Sequence, residues 1–159
     1  HIVRTRAFNI CGPRRGDCFA ESSWAKQIAQ IEAGLIPPVI RHGNLDSARD
    51  YIDVRDVVRG YAKALFDGKP GDVYLIGSGV PRKMSEILDS LVRLSTNETA
   101  ITLEQDPARM RPSDTPTMRA DTSDMQWLIG NTKIPFDVTL RDLLNYWRHI
   151  VNPEKSANG

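Results

Sequence analysis

The chain has 159 residues, the size of one ordinary domain, and its 40% hydrophobic and 26% charged side chains exclude a long disordered polymer. Its 21 Lys and Arg against 20 Asp and Glu leave a formal charge of +1, too little for a duplex-binding protein, so any anion must be held by local arrangement. With two cysteines, three scattered histidines and no apolar run of membrane-spanning length, neither a disulfide framework nor a metal site nor a membrane span is expected, and the setting expected is reducing and cytoplasmic.

The abrupt opening at His1-Ile2-Val3, with no leader-like segment, is expected of a chain that starts inside a fold. Residues 2–8 alternate apolar and basic side chains and predict a strand, closed by the loop Cys11-Gly12-Pro13-Arg14-Arg15-Gly16. Asp17 is placed to cap a helix whose inward stripe is Phe19, Trp24, Ile28 and Ile31, and Gly34 stops it. Pro37-Pro38 holds the chain extended into Val39-Ile40, and His42-Gly43-Asn44 turns it.

Asp53-Val54-Arg55-Asp56 is spaced like a capping box, with Asp in place of the usual Glu, for a helix burying Val57, Val58, Tyr61, Ala62 and Leu65. Residues 72–76 predict a second strand, then the turn Gly77-Ser78-Gly79 and a helix with Ile87, Leu88, Leu91 and Val92 inward. Residues 101–103 predict a short strand, and the proline-rich stretch 106–116 an irregular one. A short helix is expected over 123–128, and a last one from Thr139 with Leu143, Leu144, Trp147 and Ile150 inward; residues 153–159 form a polar tail. Trp24, Trp127 and Trp147 are expected in the core, and Asp50, Asp53 and Asp56 in caps and turns.

Strands alternating with helices predict an α/β chain with mainly parallel pairing. Only two strands are long, and a parallel sheet needs both faces covered, so the sheet is expected to be incomplete.

Arg4-Thr5-Arg6-Ala7-Phe8-Asn9, Gly43-Asn44-Leu45-Asp46 through Asp56, and Ala108-Arg109-Met110-Arg111-Pro112-Ser113-Asp114 stand in one order. Together they resemble the C-terminal half of extended short-chain dehydrogenases/reductases, of the NAD-dependent epimerase/dehydratase family. Within it the chain is similar to the GDP-mannose 4,6-dehydratase and GDP-4-keto-6-deoxymannose reductase group. The resemblance implies a Rossmann-type fold whose last parallel strands and small substrate-binding domain lie in residues 1–152, without the dinucleotide-binding half.

Two family features are missing. The glycine-rich dinucleotide turn has only Gly77-Ser78-Gly79 as a candidate, with Arg82 where a third glycine would stand, and a tight turn after a strand is the expected reading. The Tyr-x-x-x-Lys acid pair is also absent: Tyr51, Tyr61, Tyr74 and Tyr146 are followed four residues later by Arg55, Leu65, Ser78 and Ile150. No catalytic residue is therefore expected here, and the chain alone should be inactive.

The resemblance implies a GDP-sugar site. Lys26, Arg49 and Arg111 would lie near the diphosphate, Asp114 would accept from ribose hydroxyls, Asn9 would face the sugar, and Asn44 and Leu45 would meet the nucleotide. Arginine's planar fork suits phosphate oxygens independently of any family. Ile10 and Arg15 stand where the dehydratases approach the NAD(P) cofactor with a His and an Arg; Ile10 favours the reductase branch. A different class of function is a binding or assembly module, in which an exposed sheet edge pairs with another copy or with a separately encoded N-terminal half. A third reading is a folded relic that binds nothing.

Overall fold

The run predicted as one strand over residues 2–8 is divided between two sheets. In the computed structural model, which describes residues 2–110 and 115–153, β1 (Arg4–Ala7) runs parallel to β5 (Val73–Ile76). The Phe8 N–H still donates to the Ile76 carbonyl at 2.8 Å, and the chain then enters β2 (Asn9–Cys11), parallel to β4 (Ala48–Asp53). Period-two alternation marks a strand but does not say which neighbour it takes, so the switch at Phe8 was not predictable from it.

The six-residue β4 also pairs with β6 (Pro81–Lys83), antiparallel, and β8 (Thr117–Met118), parallel. β3 (Val39–His42) pairs in parallel with β7 (Thr102–Gln105). Parallel pairing therefore prevails among the described residues, as an α/β class requires. β4 carries little strand signal in the sequence, because Asp50 and Asp53, 0% and 3% exposed, break its apolar pattern.

Among the described residues five α-helices cover these strands: α1 (Ala20–Glu32), α2 (Val54–Asp67), α3 (Met84–Arg93), α4 (Ser123–Ile129) and α5 (Phe136–Val151). α1 ends as expected. Gly34, at φ 71°, lets its own N–H reach Ile31 O and the Leu35 N–H reach Gln30 O, each at 2.9 Å, the paired bonds of a Schellman end. Its start differs: Phe19 is the capping position without a side-chain bond, and Asp17 instead accepts from Lys26 Nζ at 2.6 Å. α2 is half as predicted. Asp53 accepts the Arg55 N–H at 2.8 Å, but Asp56 does not close the box. Its carboxylate takes the Lys133 and Ile134 N–H groups at 3.0 and 3.1 Å and Arg59 at 2.6 Å.

Two apolar clusters result. In the first, α1, α3 and α5 close over Ile40 and Tyr51 with Trp24, Ile28, Leu88, Leu91, Leu143 and Leu144. In the second, Val57, Ala64, Tyr74, Ile76, Met125 and Leu128 pack α2 and α4 on β5, with Ile52 of β4. Each fully buried Ile, Leu, Val or Met among them stabilises the fold by about 1.5–3 kcal/mol.

Several expected core positions are outside. Val58, Tyr61, Ala62 and Leu65 are exposed because α2 buries only the face carrying Asp56, Val57, Gly60 and Ala64, and none of the described residues covers the rest of its apolar sector. Phe19 stands at the helix entry under the Arg15 guanidinium, 3.5 Å from its ring centroid. Trp127 is 50% exposed and stacks on Tyr74 at 5.3 Å, since α4 is only seven residues long. Ile150 is exposed in the last turn of α5, whereas Trp24 and Trp147 are buried as expected. Among the described residues no helix is long and apolar enough to cross a membrane.

Candidate functional site

A cavity of about 460 Å³ opens beside the junction of β1 and β2. Its walls are the entry to α1 (Asp17, Cys18, Phe19, Ser23, Trp24), the turn after β3 (Gly43, Asn44), β4 (Arg49, Tyr51) and the 3-10 turn Pro107–Arg109. Asn9 faces it from the sheet, its side-chain amide donating to Asp50 O at 2.9 Å. Asn44 Oδ1 accepts the Asp46 N–H at 2.8 Å and closes the turn. Arg49 donates through Nη1 to Ala48 O at 2.8 Å, with Pro116 O at 3.4 Å.

Behind Tyr51 lies a buried polar chain. Tyr51 Oη donates to Glu21 Oε2 at 3.1 Å, and Glu21, 1% exposed, accepts Arg15 Nε on its other oxygen at 2.8 Å. Burial and the Glu21 charge push the Tyr51 hydroxyl far up, so it stays a neutral donor. Burial, then Glu21, does the same to the neighbouring Cys11 thiol. Neither group is poised to exchange a proton.

The structure thus brings Asn9, Asn44 and Arg49 together. Lys26 is turned to Asp17, with its ammonium 5.3 Å from the Trp147 ring centroid, and it is Asp17 that lines the cavity. Leu45 packs against the first core cluster while its carbonyl accepts the Ser85 N–H at 3.2 Å. Arg111 and Asp114 lie outside the described residues. Arg109, which sequence reading passed over within its own motif, lines the cavity. Its position one residue past the Asp106-Pro107-Ala108 turn was the only available signal.

Ile10 pairs with Ile52 in the sheet and packs on the second cluster, and Arg15 is held by Glu21 and Phe19. The Gly77-Ser78-Gly79 loop does not fit a dinucleotide pyrophosphate: the Ser78 and Gly79 N–H groups already donate to Asp50 at 2.8 and 2.7 Å. It is the tight turn expected of it.

In this mainly parallel α/β frame the polar cavity lies beside the strand ends, the place where open α/β sheets bind ligands. The family model described as GDP-mannose 4,6 dehydratase matches residues 1–143, and the chain belongs to that family. It is 33% identical over 154 residues to GDP-6-deoxy-D-mannose reductase of Pseudomonas aeruginosa, covering 96% of this chain and 50% of that one. Against GDP-mannose 4,6-dehydratase of Sinorhizobium fredii it is 31% identical over 104 residues, 65% of this chain and 28% of the relative. The solved structure of RMD from Pseudomonas aeruginosa complexed with NADPH superposes with a TM-score of 0.85 at 31% identity, over 94% of this chain and 49% of that one. UDP-glucuronic acid 4-epimerase of Bacillus cereus, 24% identical with a TM-score of 0.73 over 93% and 45% of the two chains, shares the fold. The chain spans about half the length of that reductase and less of the dehydratase.

Proposed function

We propose that this chain is the GDP-sugar-binding portion of an NAD(P)-dependent sugar-nucleotide reductase or dehydratase, with residues 1–152 acting as one binding unit that is inactive alone. The observation that carries this reading is the convergence of Asn9, Asn44 and Arg49 on one cavity, in a chain 33% identical to a GDP-6-deoxy-D-mannose reductase. Arg49 binds the diphosphate and Asn9 the sugar, with Arg111 and Asp114 joining from the loop beyond the 3-10 turn. Lys26 contributes once Asp17 releases it, and Leu45 supports the nucleotide through its backbone. Ile10 offers only apolar and backbone contact and favours the reductase branch. The NAD(P) requirement belongs to the complete enzyme, where Ile10 and Arg15 approach the cofactor. Two free thiols, Cys11 and Cys18, support a cytoplasmic location.

A thermal-shift titration with GDP, GDP-mannose, UDP and NADPH tests it. A ligand at about 100 times its dissociation constant stabilises by about 2.7 kcal/mol, and the GDP compounds alone are expected to do so. Absence of a shift with GDP, or oxidation of NADPH by this chain with a 4-keto sugar nucleotide, contradicts the reading.

A second reading, assembly through an open surface, is favoured by one feature. Among the described residues β1 pairs with β5 alone, and Val58, Tyr61 and Leu65 form an exposed apolar stripe on α2. Such a surface suits a second copy or a separately encoded N-terminal half. Light scattering on a sizing column decides between an associating chain and a strict monomer.

A further inference from the structure

The turn Pro107–Arg109 is shaped by one side chain. Asp106 accepts the Ala108 N–H on Oδ1 at 2.9 Å and Arg109 Nε on Oδ2 at 3.2 Å. The Asp106 N–H donates to His42 O at 2.8 Å, which carries the β3–β7 pairing into the turn. On the facing strand end, Gly43 lies so close to the Arg109 carbonyl that a Cβ there would overlap it. The backbone bearing Arg109 is therefore pressed against the turn bearing Asn44.

From that base the guanidinium spans to α1, where Nη1 donates to Ser23 Oγ at 3.2 Å. Arg109 and Ser23 both line the cavity, as does Arg49 from β4. The Arg109–Ser23 bond joins a cation to an uncharged hydroxyl. A bond from the same donor to a phosphate oxygen is shorter and about twice as strong, and Nε is already oriented by Asp106.

We propose that Arg109 is a phosphate-binding residue of this cavity: a nucleoside diphosphate takes the Nη donors from Ser23, while Asp106 keeps the fork aimed. This rests on the nucleotide-sugar reading above and adds to it the cation that grips the diphosphate from the α1 side, opposite Arg49.

The test is calorimetric titration of the 159-residue chain with GDP, together with competition by inorganic pyrophosphate. Arg109→Gln is expected to weaken GDP binding about 10–100-fold and pyrophosphate competition with it, while the ligand-free melting temperature stays within 2 °C of the parent, since one exposed charge contributes little to stability. Arg109→Lys, which keeps the charge and loses the fork, falls between. Arg141→Gln removes the same charge from the exposed face of α5 and leaves GDP affinity within about twofold. GDP binding by Arg109→Gln within about twofold of the parent overturns the Arg109 assignment and leaves the nucleotide-sugar reading standing. Absence of GDP binding by the parent overturns both.

Discussion

The Gly79 N–H donates at 2.7 Å to Asp50, whose carboxylate is wholly buried in the middle of β4. The same carboxylate accepts from the Ser78 N–H at 2.8 Å, from Ser78 Oγ at 2.7 Å and from the Ala120 N–H at 3.0 Å. One acid thus anchors the turn after β5 and the segment before α4 to the central strand. Asp50→Asn replaces an acceptor oxygen with a donor facing N–H groups, and is expected to lower stability by about 2–4 kcal/mol. Urea unfolding measures this; a loss under about 1 kcal/mol would mean that these loops hold their shape without the carboxylate.

Acid should weaken the fold through two other carboxylates. Burial raises Glu32 and Asp53, but bonds to Glu32 from Arg148 and Thr96, and to Asp53 from Arg55 and Thr139, outweigh it and hold both below the usual carboxylate range. Groups depressed in the folded state bind protons more readily when unfolded. Their stabilisation is therefore complete above about pH 5 and is lost as pH falls through about 4 and below. Arg148 bonds Glu32 through Nε and Nη2, each at 2.7 Å, and Leu94 O at 2.9 Å. Arg148→Ala should lower stability at pH 7 by about 1–3 kcal/mol and flatten the acid limb. A urea midpoint that is constant from pH 5 to pH 3 would contradict this account.

The two thiols should react differently. Cys11 is 1% exposed and burial holds its thiol protonated, whereas Cys18 is exposed on the cavity wall. Since the thiolate is the reactive form, a disulfide reagent should label one thiol per native chain and two after denaturation. Mass spectrometry should place the native label on Cys18, and saturating GDP should slow it. Labelling of Cys18 at the same rate with and without bound GDP would place the nucleotide elsewhere.

The stripe on α2 predicts a concentration-dependent sedimentation coefficient. Leu65 is 61% exposed, so Leu65→Lys should change stability by no more than about 0.5 kcal/mol while suppressing association. Identical sedimentation of parent and variant across the concentration range would exclude this face from self-association.

The helices were legible in the sequence because their signals are local. Gly34 ends α1 through its own φ, and Asp53 starts α2 through a bond two residues away. β4 was not, since Asp50 and Asp53 read as turn and cap acids, and their strand positions show only when partners at Ser78, Ala120 and Thr139 are brought in from far along the chain. The site divides the same way. Asn9, Asn44 and Arg49, proposed from motif positions, line one cavity, but only the folded chain shows Lys26 bonded to Asp17 and Arg109 lining that same cavity.

The passage of one short run from β1 into β2 has a mechanical result. Four residues, Arg4–Ala7, border one sheet among the described residues, and two positions later Asn9 faces the cavity. With Phe8 pinned to Ile76 between them, little slack separates border from cavity. Were a partner to dock on that border and a nucleotide to bind beside Asn9, this segment would tie the two events into one coupling energy. Whatever factor the nucleotide adds to the partner's affinity, the partner must add to the nucleotide's.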